Sequence, residues 1–360
     1  MLFTYHPNAL AQNWLNSAII TILNNGMNSI IDGQAITAWP EILPERHREA
    51  LKSRWGIRDR LNAFWAEYTK LERHYQDSLL VAMCEQTSLP DIFSNDIICS
   101  KIDEFPKNIR IVIDDLFRFL FEKQLTSIIV GQKSLRDLHY KTIYENIPSK
   151  ICPFCGLGYL RAPDAPRHAL DHYLPISKYP FAGADLRNLT PMCTECNSDF
   201  KKVTDILIDD NQLRVHCSDP YYGPTFKIKL AESIPFRGKA VKGIKLPLWI
   251  ISFDGEFQDY AENWDRIFKI RERYERDVLN ENFRFWLEHF AVWYSNPRIR
   301  NAYNEITDSL SEYIEIVIQD GFSDRAFLKV EVFNLIKNEC NHPERGEDMK
   351  AFLNLLIETV

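Results

Sequence analysis

The sequence predicts an α+β protein, mainly helical, with a central metal-stapled finger and a small antiparallel sheet between N- and C-terminal helical regions. Three observations carry that prediction. Residues 1–145 and 259–360 repeat apolar side chains at helical spacing. Two Cys-x-x-Cys pairs, Cys152/Cys155 and Cys193/Cys196, bracket the stretch 151–202. Between 205 and 258 the period shortens to the alternation of strands. The expected regions are therefore 1–145 (helical), 146–204 (finger), 205–258 (antiparallel β) and 259–360 (helical).

In the first region Leu10, Trp14, Ala18 and Ile22 recur at i, i+4 spacing, and Asn24-Asn25-Gly26 reads as a helix stop. Pro40 and Pro44 break the next stretch. Residues 46–55 read as a helix closed by Gly56, with Asp59 capping its successor. Leu61, Phe64, Trp65, Tyr68, Leu71, Tyr75, Leu79 and Ala82 then form one apolar stripe, expected to pack against other helices and not to stack bases. A further helix is expected over 109–124, with Ile113, Leu116, Phe117 and Leu120 on one side. His139 and Tyr140 lead into the finger, and His139 is given no chemical role.

The cysteine pairs are the strongest signal. Each Cys-x-x-Cys turn aims two thiolates at one point, and two turns complete a tetrahedral shell for a structural Zn2+. A redox pair would account for one such turn, not for two flanking a polar insert. Inside the loop they close, Asp171 and His172 are neighbours on an extended segment, so their side chains point opposite ways. Asp171 is free to face a metal while His172 faces water. Asn197 follows the last cysteine directly. An Asp and an Asn oxygen are hard ligands suited to Mg2+ or Mn2+, and a neutral imidazole nearby takes a proton from water. These are the parts phosphodiester hydrolysis requires. His168, in the insert before Asp171, reads as a solvated loop histidine.

This stretch resembles the HNH endonuclease motif, the ββα-metal finger, in its zinc-stabilised form. Asp171, His172 and Pro175, then Asn188-Leu189, then Cys193, Cys196, Asn197 and Lys201 follow the family pattern over about one-sixth of the chain. The resemblance implies that His172 is the general base, that Asp171 and Asn197 hold the catalytic ion, and that Asn188 fixes the loop and orients the histidine. Two departures stand out. The last ligand is Asn where the commonest form has His, and the lysine falls one place late, after Phe200, so Lys201 and Lys202 are both candidates. Lys178, Arg187, Lys201 and Lys202 are the expected nucleic-acid contacts.

Beyond the finger, residues 206–215 read as a hairpin turning at Asp209-Asp210-Asn211-Gln212, and 226–230 and 248–253 as strands. Lys227, Lys229, Lys242 and Lys245 form a lysine face there, equally a phosphate contact or a solvated edge. From 263 the chain turns helical again, with Trp264, Ile267, Phe268, Tyr274 and Val278 on one face, then helices over 306–318, 326–338 and 349–357. The mixed charges at 271–276 read as a solvated helix face.

With 360 residues, 45% of them hydrophobic, the chain buries a sizeable core. No apolar run spans a membrane, the N-terminus lacks a signal-peptide layout, and eight cysteines with four in metal-like pairs suit a reducing cytoplasm. Cys84, Cys99, Cys217 and Cys340 are expected to be buried as small hydrophobes. The net charge of −7 argues mildly against a nucleic-acid protein, but whole-chain charge does not set the local field, and a modest phosphate-binding face on an acidic body is expected. No Walker-type phosphate loop occurs. The resemblance extends to nuclease effectors of bacterial anti-phage defence systems, which act on DNA, expected here to be double-stranded, some beside a companion ATPase. The rivals are a stand-alone restriction or homing nuclease, an RNA-cleaving nuclease, and a non-catalytic zinc module that binds nucleic acid or protein.

Overall fold

A computed structural model describes residues 1–165, 170–241 and 244–359, with Val241 and Ile244 by backbone alone. The chain forms two compact units. The first comprises Met1, 3–154 and 158–224; the second comprises Leu2, 155–157 and 225–360. The fold is mostly helical, with four two-stranded antiparallel ladders among the described residues. No helix is long and apolar enough to cross a membrane among those residues.

In the first unit the long helices are α1 (Leu15–Ile31), α2 (Trp55–Tyr68), α3 (Arg73–Gln86), α4 (Lys107–Phe119) and α5 (Leu135–Asn146). Their apolar faces meet in one core that includes Ile19, Ile22, Phe64, Tyr68, Leu79, Met83, Ile113, Leu116 and Phe117. Leu170, Phe181, Ala184, Leu186 and Leu189 of the finger belong to that same core. The helical region and the finger therefore share one hydrophobic interior.

Several expected boundaries move, for a common reason. Helix α1 runs straight through Gly26, because a Cβ there would stand 2.5 Å from Trp65 Cη2. The glycine allows close approach and does not end the helix. Gly56 lies inside α2 for the same cause, since a Cβ would meet Phe119 at 2.7 Å. The stripe from Leu61 to Ala82 is cut into α2 and α3 by the turn at 69–72. The hairpin at 206–215 forms as expected, with Asp209 N donating to Leu213 O and Val215 N to Leu207 O, both at 2.9 Å. Cys99, Cys217 and Cys340 are buried, but Cys84 is exposed on α3.

Buried His139 on α5 joins distant segments. Its Nδ1 lies 2.9 Å from Ala9 O and its Nε2 2.9 Å from Leu189 O. Burial holds its pKa below the ordinary value, although two carbonyl acceptors oppose that by favouring the charged ring. With one ring N–H in the neutral form, His139→Ala removes the hydrogen bond to one of the two carbonyls and opens a cavity. The expected cost is about 2–4 kcal/mol in urea unfolding. An unchanged midpoint would show that His139 joins nothing.

The ladders are β1/β2 (Ile129–Val130, Lys133–Ser134), β3/β4 (Asp171–His172, Leu189–Thr190), β5/β8 (Lys227–Lys229, Ser252–Asp254) and β6/β7 (Ala240–Val241, Ile244–Lys245). The region 205–258 thus carries separate short pairs where one small sheet was expected. Of the expected lysine face, Lys227 and Lys245 are exposed, Lys229 lies 3.4 Å from Glu331, and Lys242 falls outside the described residues. In the second unit α6 (Gln258–Phe268), α7 (Asn280–Tyr294), α8 (Ile306–Ile318), α9 (Ala326–Cys340) and α10 (Gly346–Glu358) follow. Phe290, Tyr313 and Phe333 form its aromatic centre, with ring centroids 4.8–5.6 Å apart.

Candidate metal and catalytic site

The four paired cysteines converge. The sulfurs of Cys152, Cys155, Cys193 and Cys196 all lie within 4.8 Å of one another, and all four residues are buried and free of disulfides. Tetrahedral thiolates about 2.3 Å from one ion stand about 3.8 Å apart, so the cluster fits a metal such as zinc with little adjustment. The first turn closes with Gly156 at φ +66°, and Leu157 N donates to Cys155 Sγ at 3.4 Å. Gly158 lies directly against the second turn, where an added Cβ would stand 2.5 Å from Cys193 Cβ and 2.8 Å from its Sγ. Gly158→Ala is therefore expected to push the two turns apart and to weaken zinc affinity at least about tenfold. A chelator competition with a metallochromic dye reads this directly, and an unchanged zinc affinity would contradict it.

Between the two metal turns, β3 and β4 pair in antiparallel register, Asp171 with Thr190 and His172 with Leu189. The wide helical turn Glu195–Lys201 follows, so two short strands and a helix succeed one another. Successive residues on β3 face opposite sides. On one side, the Asn197 amide lies 3.1 and 3.3 Å from the two carboxylate oxygens of Asp171 when its nitrogen is turned toward them. Lys201 Nζ sits 3.0 Å from Asp171 Oδ2. Thr190, cross-strand from Asp171 and so on the same face, has a buried hydroxyl with no hydrogen-bond partner among the described residues. On the other side His172 packs against Phe121, ring centroids 4.3 Å apart.

A short network fixes the imidazole. Its Nε2 lies 2.8 Å from Gly183 O. A carbonyl only accepts, so Nε2 carries the proton and Nδ1 keeps the lone pair. Asn188, fully buried, holds the loop that supplies this carbonyl. Its Nδ2 donates to Ala182 O and Leu174 O, both at 3.1 Å, and its Oδ1 accepts from Leu174 N at 2.6 Å. The helical body grips the same loop from behind. Asn16 on α1 donates to Phe181 O at 3.0 Å and accepts from Ala184 N at 3.3 Å, while Gln86 on α3 accepts from Phe181 N at 3.2 Å.

Burial pushes the His172 pKa down to about 4; the Gly183 bond opposes this, and Lys201, Arg118 and Arg136 reinforce it. The ring is thus neutral at ordinary pH, the form a base requires. Burial likewise pushes the Asp171 carboxyl up and the Lys201 ammonium down, each opposed by the other's charge.

The oxygens on the Asp171 side fit a magnesium- or manganese-like ion. Neighbouring ligands of an octahedral ion with bonds of about 2.1 Å lie about 3 Å apart, close to the Asp171–Asn197 spacing. Rotating the Asn197 amide presents Oδ1 in place of the nitrogen. The unpartnered Thr190 hydroxyl adds a third polar group on that face. Lys201 takes Oδ2 of Asp171, and the same rotation of Asn197 withdraws the amide nitrogen from Oδ1.

The structure thus brings together Asp171, His172, Asn188 and Asn197. The four expected nucleic-acid contacts are placed differently. Lys201 is fully buried on Asp171, where it neutralises a carboxylate and has no face open to a phosphate. Arg187 bonds Asp219 at 2.6 Å, and Lys178 lies 3.5 Å from Asp205. Lys202 alone of the four is exposed. His168 lies outside the described residues. Asn16, Gln86, Phe121 and Thr190 carried no warning in the sequence, since each acts through a partner distant along the chain. No protein-family model matches the chain, and no curated protein or solved structure matches it either.

Proposed function

We propose that this chain is a metal-dependent HNH-type endonuclease that hydrolyses phosphodiester bonds of double-stranded DNA. The observation that carries the reading is the two-sided β3 strand. Asp171 and Asn197 meet on one side beside an orphan hydroxyl, and His172 sits on the other as a neutral base with a fixed tautomer.

His172 takes a proton from water at Nδ1 while Gly183 keeps the ring oriented, and the resulting hydroxide attacks phosphorus in line with the departing 3′ oxygen. Asp171 and Asn197 hold the divalent ion. When bound, Mg2+ or Mn2+ supplies positive charge for the phosphate and the leaving oxygen. The Lys201 charge opposes the upward push of burial on the Asp171 carboxyl and so favours the ionised form that an oxygen ligand needs. The four cysteines hold zinc as scaffold: four thiolates leave no position open for water.

The HNH resemblance extends the proposal to a cytoplasmic effector of anti-phage defence served by a companion ATPase. A zinc module that only binds nucleic acid or protein would need neither the Asp171–Asn197 meeting nor an oriented His172. Incubating the zinc-loaded chain with supercoiled plasmid tests the proposal. Nicked or linear DNA is expected with Mg2+ or Mn2+ and intact plasmid without them. A plasmid left intact at every ion and protein concentration would refute the nuclease reading. Labelled RNA in parallel separates the RNA-cleaving rival.

A further inference from the structure

A cleft of about 650 Å³ in the first unit runs along the polar face of α4. Lys107, Arg110, Asp114 and Arg118 follow one another there at three- and four-residue steps, so they share that face. The opposite wall includes Ser177, five residues after His172, and Ile102, whose N–H donates to Lys178 O at 2.9 Å. The cleft therefore borders the loop that carries the catalytic candidates. At its far end Arg118 is one helical turn from Phe121, the ring on which His172 rests.

The charges in the cleft divide into committed and uncommitted. Arg118 pairs with Asp114 at 2.7 Å, and Arg60 with Asp115 at 3.0 Å. Lys107, Arg110 and Lys123 form no ion pair among the described residues, against Asp103 and Glu122 on the acidic side. Among those residues Arg110 also makes no side-chain hydrogen bond, yet its Nε is buried. A buried donor without an acceptor is destabilising, and an incoming anion would satisfy it. From Lys107 to Arg118 the helix advances about 16 Å, the length of roughly five nucleotides of one strand.

We infer that this cleft is the track for a DNA phosphate backbone, with Arg110, Lys107 and Lys123 as its phosphate contacts, leading a strand to His172. The inference rests on the nuclease reading for the kind of partner. It also moves the nucleic-acid face from the finger lysines, which are mostly spent on internal ion pairs, to the helical body.

The test is fluorescence anisotropy of a labelled DNA duplex with no divalent ion added, using His172→Ala protein so that nothing is cut. Arg110→Ala is expected to weaken binding about tenfold, and the triple variant Lys107→Ala/Arg110→Ala/Lys123→Ala to flatten the log–log salt slope by about three. Asp103→Ala should tighten binding. Lys70→Ala, exposed on the first unit, should change nothing. Since the Arg110 side chain bonds nothing, its loss should leave the melting temperature in place. Affinity and salt slope unchanged in the triple variant would overturn the cleft while the plasmid assay still stands. A parent protein that binds no duplex would overturn it too, and plasmid cutting then decides separately whether the nuclease reading falls with it.

Discussion

Cys193→Ser is expected to empty the proposed zinc site and loosen the finger while the helical core of the first unit stays folded. The physical reason lies in how the finger is held. Its apolar residues Leu170, Phe181, Ala184, Leu186 and Leu189 lie in the core shared with α1 to α4, and no metal is needed to bury them. The turns at Cys152–Cys155 and Cys193–Cys196 are not part of that core; they meet at four buried thiols within 4.8 Å of one another, beside Phe154, which packs on Tyr5 and Tyr173. Apparent zinc-binding free energies in finger peptides are about 10–16 kcal/mol, and a serine hydroxyl does not replace a thiolate. Zinc content should fall from one per chain toward none, with a melting temperature lower by about 10 °C and faster amide exchange concentrated over residues 151–202. Because Asn197 follows Cys196 directly and its N–H bonds to Cys193 O at 3.0 Å, the loosening also moves a proposed ligand of the second ion. A variant that keeps its zinc and its melting point would remove the scaffold from the account.

The second large effect is on the reaction alone. His172→Ala should lower the cleavage rate about 10²–10⁴-fold, the span a general base contributes, while zinc content and duplex affinity stay near those of the parent. His172→Gln separates base from packing. Glutamine still donates an N–H toward Gly183 O but offers no basic nitrogen, so it should be as inactive as alanine. Cutting by either variant at the parent rate would assign the proton to another group. Losing His172 also removes a ring packed against Phe121, so the comparison uses variants that melt as the parent does.

The sequence was informative where chemistry is local. Two Cys-x-x-Cys pairs could be joined through one ion before any fold was known, and the four sulfurs do converge. Extended backbone at Asp171-His172 placed the two side chains on opposite sides, as β3 does. The finger lysines were misleading because a lysine in sequence carries no mark of its partner: Lys201 looked like a phosphate contact and is buried on Asp171. Glycines misled similarly. Gly26 and Gly56 read as punctuation, yet each makes room for an aromatic ring from another segment, Trp65 and Phe119. The hold on the Gly183 loop was equally hidden, since Asn16 and Gln86 reach it across 165 and 95 residues of chain. Long-range hydrogen bonds leave no period or spacing to read.

The central claim is that Asp171 and Asn197 hold a second ion whose occupancy governs cutting by His172. Calorimetric titration of Mn2+ into zinc-loaded protein, run beside the plasmid assay over the same concentrations, tests it most directly. The account predicts one Mn2+ per chain beyond the zinc, cleavage that saturates with that binding, and affinity weakened at least about tenfold in both Asp171→Asn and Asn197→Ala. Manganese that binds equally well to both variants, or cleavage that proceeds in them at the parent's ion dependence, would contradict it.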